Sequence, residues 1–308
     1  MSSIGANRRG IIALIGCMAA YAVSDVATKL VARTHPFGEV VAVRGLLTIA
    51  LVGVVLVALG NLRHVRGAIT PLVLVRSVFE ALSSGMYVAA LIHMPIANAA
   101  ALVMIQPLIL VTLSVAFYGE TVGWRRWTAV MVGFIGVLCI VKPTPAAFDG
   151  WAVFGLGAAL FGALRELITR RLDPALPSMV IAFMSVIALT LLGCGFGLTE
   201  QWRAMAMREV AYLALAACFF SLAVYLAVMA FRDVDISVVA PFRYTFLLWA
   251  GIVGYVFFSE LPDRWSVAGA ALIVASGLYT LHRDALRRRE AIRDVSRDEL
   301  SVDGRRRL

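Results

Sequence analysis

The stretch that decides the fold is Gly10-Ile11-Ile12-Ala13-Leu14-Ile15-Gly16-Cys17-Met18-Ala19-Ala20-Tyr21-Ala22-Val23-Ser24-Asp25-Val26-Ala27-Thr28-Lys29-Leu30. It is apolar over about 20 residues, the length an α-helix needs to cross a bilayer's hydrocarbon core. A secretory leader has a shorter apolar run and no charge inside it, whereas Asp25 and Lys29 interrupt this one near its far end. The run, preceded by Asn7-Arg8-Arg9, is therefore read as a retained first transmembrane helix.

The same pattern recurs to the other end of the chain. Ten spans are predicted, at about 10–31, 38–60, 71–93, 96–118, 124–142, 150–170, 177–198, 209–231, 237–259 and 264–282, each bounded by charge, Pro or Gly. Of the 308 residues 61% are hydrophobic and 15% charged, too little charge to clothe a soluble globule of this length. Disorder and collagen are excluded by the hydrophobicity and by the lack of a Gly period. The predicted class is an all-α polytopic membrane protein of ten transmembrane helices with no soluble domain between them.

The formal net charge of +9 does not indicate a nucleic-acid partner, because the basic residues sit in short loops. Arg8 and Arg9, Arg63 and Arg66, Arg125 and Arg126, Arg170 and Arg171, Arg232 and the Arg-rich tail 283–308 occupy alternate connections. Under the positive-inside rule these face the cytoplasm, and an even helix count brings both termini there. Residues 283–308 read as a basic cytoplasmic tail near anionic lipid. The expected location is the cytoplasmic (inner) membrane. Cys17, Cys139, Cys194 and Cys218 lie in apolar runs and the four His are scattered, so no disulfide, metal site or cofactor is implied.

Comparing the chain with itself gives matches at one shift: Gly10 with Gly150, Ala19 with Ala159, Ala90 with Ala230, Ile96 with Ile236, Phe117 with Phe257 and Glu120 with Glu260. Residues 10–142 and 150–282 thus form two repeats of five helices. Because five is odd, the second copy enters the membrane from the opposite side, giving the inverted repeat found in many secondary transporters.

Two sets of residues also resemble a known family. Gly119-Glu120-Thr121-Val122-Gly123-Trp124-Arg125-Arg126-Trp127, then Gly133-Phe134-Ile135-Gly136-Val137 and Lys142-Pro143, resembles the close of the first repeat in the drug/metabolite transporter superfamily, EamA type. Ala240-Pro241-Phe242-Arg243-Tyr244, then Glu260-Leu261-Pro262-Asp263, Gly269 and Ser276-Gly277-Leu278-Tyr279, resembles the close of the second. The resemblance spans about 10–282 and implies the ten-helix architecture and transport of a small molecule. Its motifs are most similar to bacterial members that take up S-adenosylmethionine or riboflavin, and less similar to exporters of aromatic amino acids.

Ionisable side chains at membrane depth are costly, so they are the default functional candidates. Tyr21, Asp25 and Lys29 share one helical face, as do Arg76, Glu80, Ser83 or Ser84, and Tyr87; Ser221, Tyr225 and Met229 repeat the relation. At about 1.5 Å per residue, Asp25, Lys29 and Arg44 fall in the outer half. Arg76, Glu80, Arg165, Glu166 and Arg243 fall in the inner half. The expectation is two charge clusters acting as gates, with Asp25, Arg44, Glu80, Arg165 and Arg243 as gating or cavity charges. Position 165 is also the repeat counterpart of position 25. The opposing reading is structural: Asp25 with Lys29 and Arg76 with Glu80 as neutralised pairs one turn apart, their long basic chains reaching the interface.

Between the clusters, Tyr87, Asn98, Gln106 and Tyr244 are the candidate substrate-binding residues. Pro107 and Pro241 each free a backbone carbonyl that, with an amide and aromatic rings, suits a flat or cationic ligand. The opposing reading is a packing kink for Pro107 and lipid-facing or core contact for Trp249, and close helix contact accounts for Gly133 with Gly136 and Gly155 with Gly157. Glu120 and Glu260 are expected to cap loops or pair with nearby Arg.

The leading function is a secondary transporter of a small metabolite, working by alternating access without altering its substrate, with uptake of riboflavin or S-adenosylmethionine ahead of export of amino acids or drugs. An integral-membrane enzyme would require HExxH, GxSxG or an Asp-rich loop, and an ATP-driven pump a GxxxxGK[ST] loop; none occurs. The expected partners are a small-molecule substrate and the lipid bilayer, with no nucleic acid; the sequence gives no oligomeric state.

Overall fold

A computed structural model describes residues 4–118, 124–141, 150–173, 175–230, 236–279 and 282. Among the described residues it is helical throughout, with no strand. The helices are α1 (Ile4–Ala32), α2 (Phe37–Ala58), α3 (Pro71–His93), α4 (Ile96–Val103), α5 (Gln106–Tyr118), α6 (Trp124–Val141), α7 (Ala152–Thr169), α8 (Ser178–Gly197), α9 (Met207–Ala230), α10 (Ile236–Val239), α11 (Thr245–Phe258) and α12 (264–279). Among the described residues, eight helical stretches are long and apolar enough to cross a bilayer: Asn7–Ala32, Phe37–Ala58, Pro71–His93, Ile96–Phe117, Ala152–Thr169, Ser178–Gly197, Met207–Ala230 and Ala240–Phe258. The protein is thus a multi-pass membrane protein.

Proline sets many of the boundaries. Pro36, Pro95 and Pro177 stand just before α2, α4 and α8, and Pro71 begins α3, where its missing N–H costs nothing. Thr70 caps α3 by accepting the Val73 N–H at 3.4 Å. Inside a span, proline interrupts instead. The 96–118 stretch unwinds at Met104–Ile105 just ahead of Pro107, and Pro241 lies in a 3-10 turn, Ala240–Tyr244, that separates α10 from α11. Both appear in the sequence as single spans, since an apolar window does not register one unwound turn.

The helices associate in a defined set of pairs. α1 packs along α9, α3 along α7, α2 along α8, and α4 along α11. α6 meets α12 through glycine: a Cβ added at Gly136 would lie 2.7 Å from the Gly269 carbonyl oxygen, and one at Gly269 would collide with that of Gly136. In lipid no hydrophobic force drives two helices together, so such backbone-to-backbone approach supplies the dispersion contact. Leu91, Ile96, Leu102, Leu108, Phe246 and Ile273 belong to the largest buried cluster. Outward, Leu46, Val54, Val57, Val78, Phe134, Leu191, Leu248 and Val256 are exposed, as a lipid-facing belt requires.

The glycine crossing gives a stability prediction. Gly136→Ala overpacks the α6–α12 contact and should cost about 1–3 kcal/mol. Gly251→Ala in α11, where an added Cβ meets nothing within 4 Å, should be neutral or stabilising through helix propensity. Thermal unfolding in one detergent compares the two directly, with only Gly136→Ala lowering the midpoint.

Candidate functional site

A cavity of about 820 Å³ opens at one end of the bundle. Arg76, Glu80 and Ser84 of α3 line it, each one turn after the last, so the 3.6-residue period puts all three on one wall. Arg165 of α7 and Ser185 of α8 complete that wall. Tyr21 of α1 and Phe220 of α9 form the facing one, their rings edge-to-face with centroids 5.6 Å apart. Ala175, Pro177 and Ser178, in the connection into α8, lie at the mouth.

Glu80 organises the charged wall. Its Oε2 accepts from Arg165 Nη1 at 2.7 Å and lies 3.7 Å from Arg76 Nη2, while its Oε1 accepts from Ser84 at 3.2 Å. Arg76 also donates through Nη1 to Ser185 at 2.6 Å and through Nε to Thr169 at 3.1 Å. The wall therefore holds two guanidinium groups against one carboxylate. Arg76 and Glu80 are the one-turn pair of the structural reading, but Glu80 makes its shorter contact to α7, in the other half of the chain.

Beyond the cavity a succession of buried polar contacts runs along α1 toward the far end. One turn past Tyr21, Asp25 accepts a 2.6 Å hydrogen bond from the Tyr87 hydroxyl of α3. Arg44 of α2 donates to Thr28 at 3.0 Å and lies 4.8 Å from the Phe220 ring centroid. Lys29 donates to the Met94 carbonyl and to Glu260, both at 2.7 Å. The other Glu260 oxygen accepts the Ile96 N–H at 2.9 Å and so caps α4. Glu260 reaches this position because α11 ends on Ser259 in the left-handed region (φ 53°), with the Glu260 N–H closing back onto the Gly254 carbonyl.

The last contact of the series joins the α1–α2 connection to α2 and α9. His35 sits between two carboxylates, Nδ1 at 3.3 Å from Glu39 and Nε2 at 3.0 Å from Glu209. Glu39 also accepts the Arg203 N–H at 3.2 Å, and Glu200 accepts the Gly38 N–H at 2.7 Å, which ties the 199–206 segment across the ends of α1 and α2.

The sequence-derived candidates divide between these places. Glu80 and Arg165 meet in the cavity wall, and Asp25 and Tyr87 meet just beyond its floor. Gln106 is buried and donates to Glu166 at 2.8 Å. Arg44 bonds Thr28 rather than Asp25, and Lys29 bonds Glu260 rather than Asp25. Asn98 and Arg243 are half-buried and outside the cavity lining. Tyr244 lines a separate, largely apolar pocket of about 510 Å³ with Pro241, Phe242 and Leu278. Its buried hydroxyl has no hydrogen-bond partner among the described residues. Glu120 lies outside the described residues. Sequence reasoning passed over His35, Glu39 and Glu209 because they stand at span ends, where charge is ordinary; the spacing of His35 and Glu39 by four was the available signal.

Comparison with known proteins gives a consistent picture. The model of the EamA-like transporter family matches residues 8–142. A riboflavin transporter of Rhizobium johnstonii is 32% identical over 219 residues, covering 70% of this chain and 72% of that protein. A pseudopaline exporter of Pseudomonas aeruginosa is 26% identical over 270 residues, 87% of this chain and 94% of that one. An S-adenosylmethionine uptake transporter of Rickettsia prowazekii is 25% identical over 190 residues, 62% and 64% respectively. One solved crystal structure shares the fold, with a TM-score of 0.60 at 18% identity, covering 91% of this chain and 98% of the other.

The Lys29–Glu260 contact gives the second prediction. Removing one partner of a buried ion pair costs about 3–5 kcal/mol. Glu260→Gln should fall near the lower figure, since the Glu260 side chain keeps 19% exposure against 5% for Lys29. In the Lys29→Met background the same change should cost clearly less. A double-mutant cycle of unfolding in detergent reads the difference; additive effects would show that the pair is not coupled.

Proposed function

We propose that this chain, which belongs to the EamA-like transporter family of the drug/metabolite transporter superfamily, is a secondary carrier that moves a small metabolite across the bacterial inner membrane by alternating access. The observation that carries this reading is the cavity itself: open at one end, and followed along α1 by the Asp25–Tyr87, Arg44–Thr28, Lys29–Glu260 and His35–Glu39–Glu209 contacts. A carrier needs one accessible side and one sealed side at a time, and a substrate site between them.

In this reading ten spans form two inverted repeats, 10–142 and 150–282, with both termini and the tail 283–308 in the cytoplasm. The helix pairing supports it. An exchange of halves that relates spans one, two and three to spans six, seven and eight turns the α1–α9 pair into the α7–α3 pair. The same exchange maps α2–α8, α4–α11 and α6–α12 onto themselves. The cavity then opens to the cytoplasm, beside the Arg170 and Arg171 connection. Glu80 and Arg165 are cavity charges, and Asp25 and Arg44 belong to the closed outer gate. Tyr87, which donates to Asp25, and Asn98, Gln106 and Tyr244 are substrate-binding residues reached as the halves move, with Arg243 a further gating charge. The carrier leaves its substrate chemically unchanged.

Uptake of riboflavin or S-adenosylmethionine is the first substrate assignment, following the names of two of the relatives. Export is the second, favoured by the pseudopaline exporter, which is matched over nearly its whole length. Counterflow in proteoliposomes tests both the class and the substrate. Vesicles preloaded with unlabelled riboflavin or S-adenosylmethionine should transiently accumulate the same labelled compound, saturably and without chemical change. Absence of saturable exchange with flavins, S-adenosyl compounds and amino acids alike would contradict the carrier reading.

A further inference from the structure

The cavity's two walls differ in chemistry, and the difference selects among substrates. Resting on the carrier reading above, we propose that the cavity takes an anion: a molecule with a carboxylate or comparable oxyanion on a flat, apolar body, with Arg165 holding the anionic group and Tyr21 and Phe220 facing the body.

The charge balance comes first. Among the lining residues two guanidinium groups, Arg76 and Arg165, stand against the single carboxylate of Glu80, while Glu166 beside Arg165 is outside the lining and accepts from Gln106. A guanidinium taken from water and left without a counter-ion is expensive, and an anionic ligand offsets that cost where a cation would add to it. The open hydrogen-bonding capacity comes second. Arg76 is engaged on all three nitrogens, by Thr169, Ser185 and Glu80. Arg165 uses Nη1 for Glu80, which leaves its Nε and Nη2 with no hydrogen-bond partner among the described residues. A guanidinium presents such N–H groups as a planar fork matched to a carboxylate or phosphate.

A cation finds no equivalent on this wall. Both Glu80 oxygens are occupied, Oε2 by the two arginines and Oε1 by Ser84; of the other carboxylates, Glu166 accepts from Gln106 and lies outside the lining, and Asp25 is buried under the Tyr87 hydroxyl. Opposite, Tyr21 of α1 with Phe220 and Val224 of α9 offers an apolar surface suited to a ring. The volume of about 820 Å³ lies within the range that encloses a small metabolite. S-adenosylmethionine carries a carboxylate but is a net cation, and riboflavin is neutral, so an anion site of this kind points past both uptake substrates considered above.

A thiol placed on the wall reads the cavity's charge without knowledge of the substrate. Cys17, Cys139, Cys194 and Cys218 are replaced by Ala, and Ala182 of α8, which lines the cavity, becomes Ala182→Cys. In phosphatidylcholine nanodiscs, where no anionic headgroup competes, its reaction with a sulfonate-bearing and a trimethylammonium-bearing methanethiosulfonate is compared, each rate divided by that of a free thiol. The normalised rate should favour the sulfonate several-fold. Glu80→Gln should widen the preference and Arg165→Gln should abolish it. Indole-3-acetate should slow the modification and indole-3-acetamide should not.

Equal rates, or a preference for the cation, in the Ala182→Cys protein alone would overturn the proposal, whether or not Arg165→Gln folds. Equal protection by acid and amide, or protection by neither, would overturn it as well. The two readings fail separately. Counterflow of a flavin with no sulfonate preference removes the anion site and keeps the carrier, while a sulfonate preference without any counterflow does the reverse.

Discussion

A charge placed inside a hydrocarbon slab must find a partner, and the rest of this protein is arranged around that requirement. An uncompensated Asp, Lys or Arg at the middle of a bilayer costs several kcal/mol, about 2.5–3.5 even on the most lenient scale. Asp25, Lys29 and Arg44 of the first two helices are nonetheless buried. Each is satisfied from another segment of the chain: Asp25 by Tyr87, Lys29 by Glu260 and the Met94 carbonyl, and Arg44 by Thr28. These contacts are therefore conditions on how the helices are assembled. Helix association in lipid lacks a hydrophobic driving force, so a polar contact that fixes register has more influence there than in a soluble core.

The same contacts bear on the proposed movement in two ways. Asp25–Tyr87 links α1 to α3, across the α1–α9 and α3–α7 pairs, whereas Glu80–Arg165 holds α3 to α7 within the second of them. In the proposed inverted repeat, positions 25 and 165 correspond, so the acid of one half stands where the base of the other does. The first takes a hydroxyl and the second a carboxylate. The α1–α9 pair and the α3–α7 pair are then natural rigid units, one tilting against the other about the cavity, with broken helices at Met104–Ile105 and Ala240–Tyr244 beside them.

Much of this was legible in the sequence. Span positions follow from local quantities, a run of apolar residues matched to a fixed thickness, and the α3 stripe of Arg76, Glu80 and Ser84 follows from helical period alone. The rise per residue gives an expected depth for each position. Azimuth was not legible: depth places Tyr244 near Gln106, but the 3-10 turn at Pro241 leaves Tyr244 lining another pocket. Partners were not legible either. Lys29 finds Glu260, which is 231 residues away, instead of Asp25 on its own helix. That choice is made by packing between helices and by the left-handed Ser259 that turns Glu260 inward.

The central claim is that the α1–α9 unit moves against the α3–α7 unit so that the two ends of the pathway open in alternation. Electron–electron spin distance measurements test it most directly, with one label pair at the α1 and α3 ends near Lys29, Thr34 with His93, and a second near the cavity mouth, Leu74 with Met229, all exposed positions. On addition of whichever compound supports counterflow, the Thr34–His93 distance should lengthen while Leu74–Met229 shortens. Two distances that stay fixed, or that change in the same direction, would contradict the account.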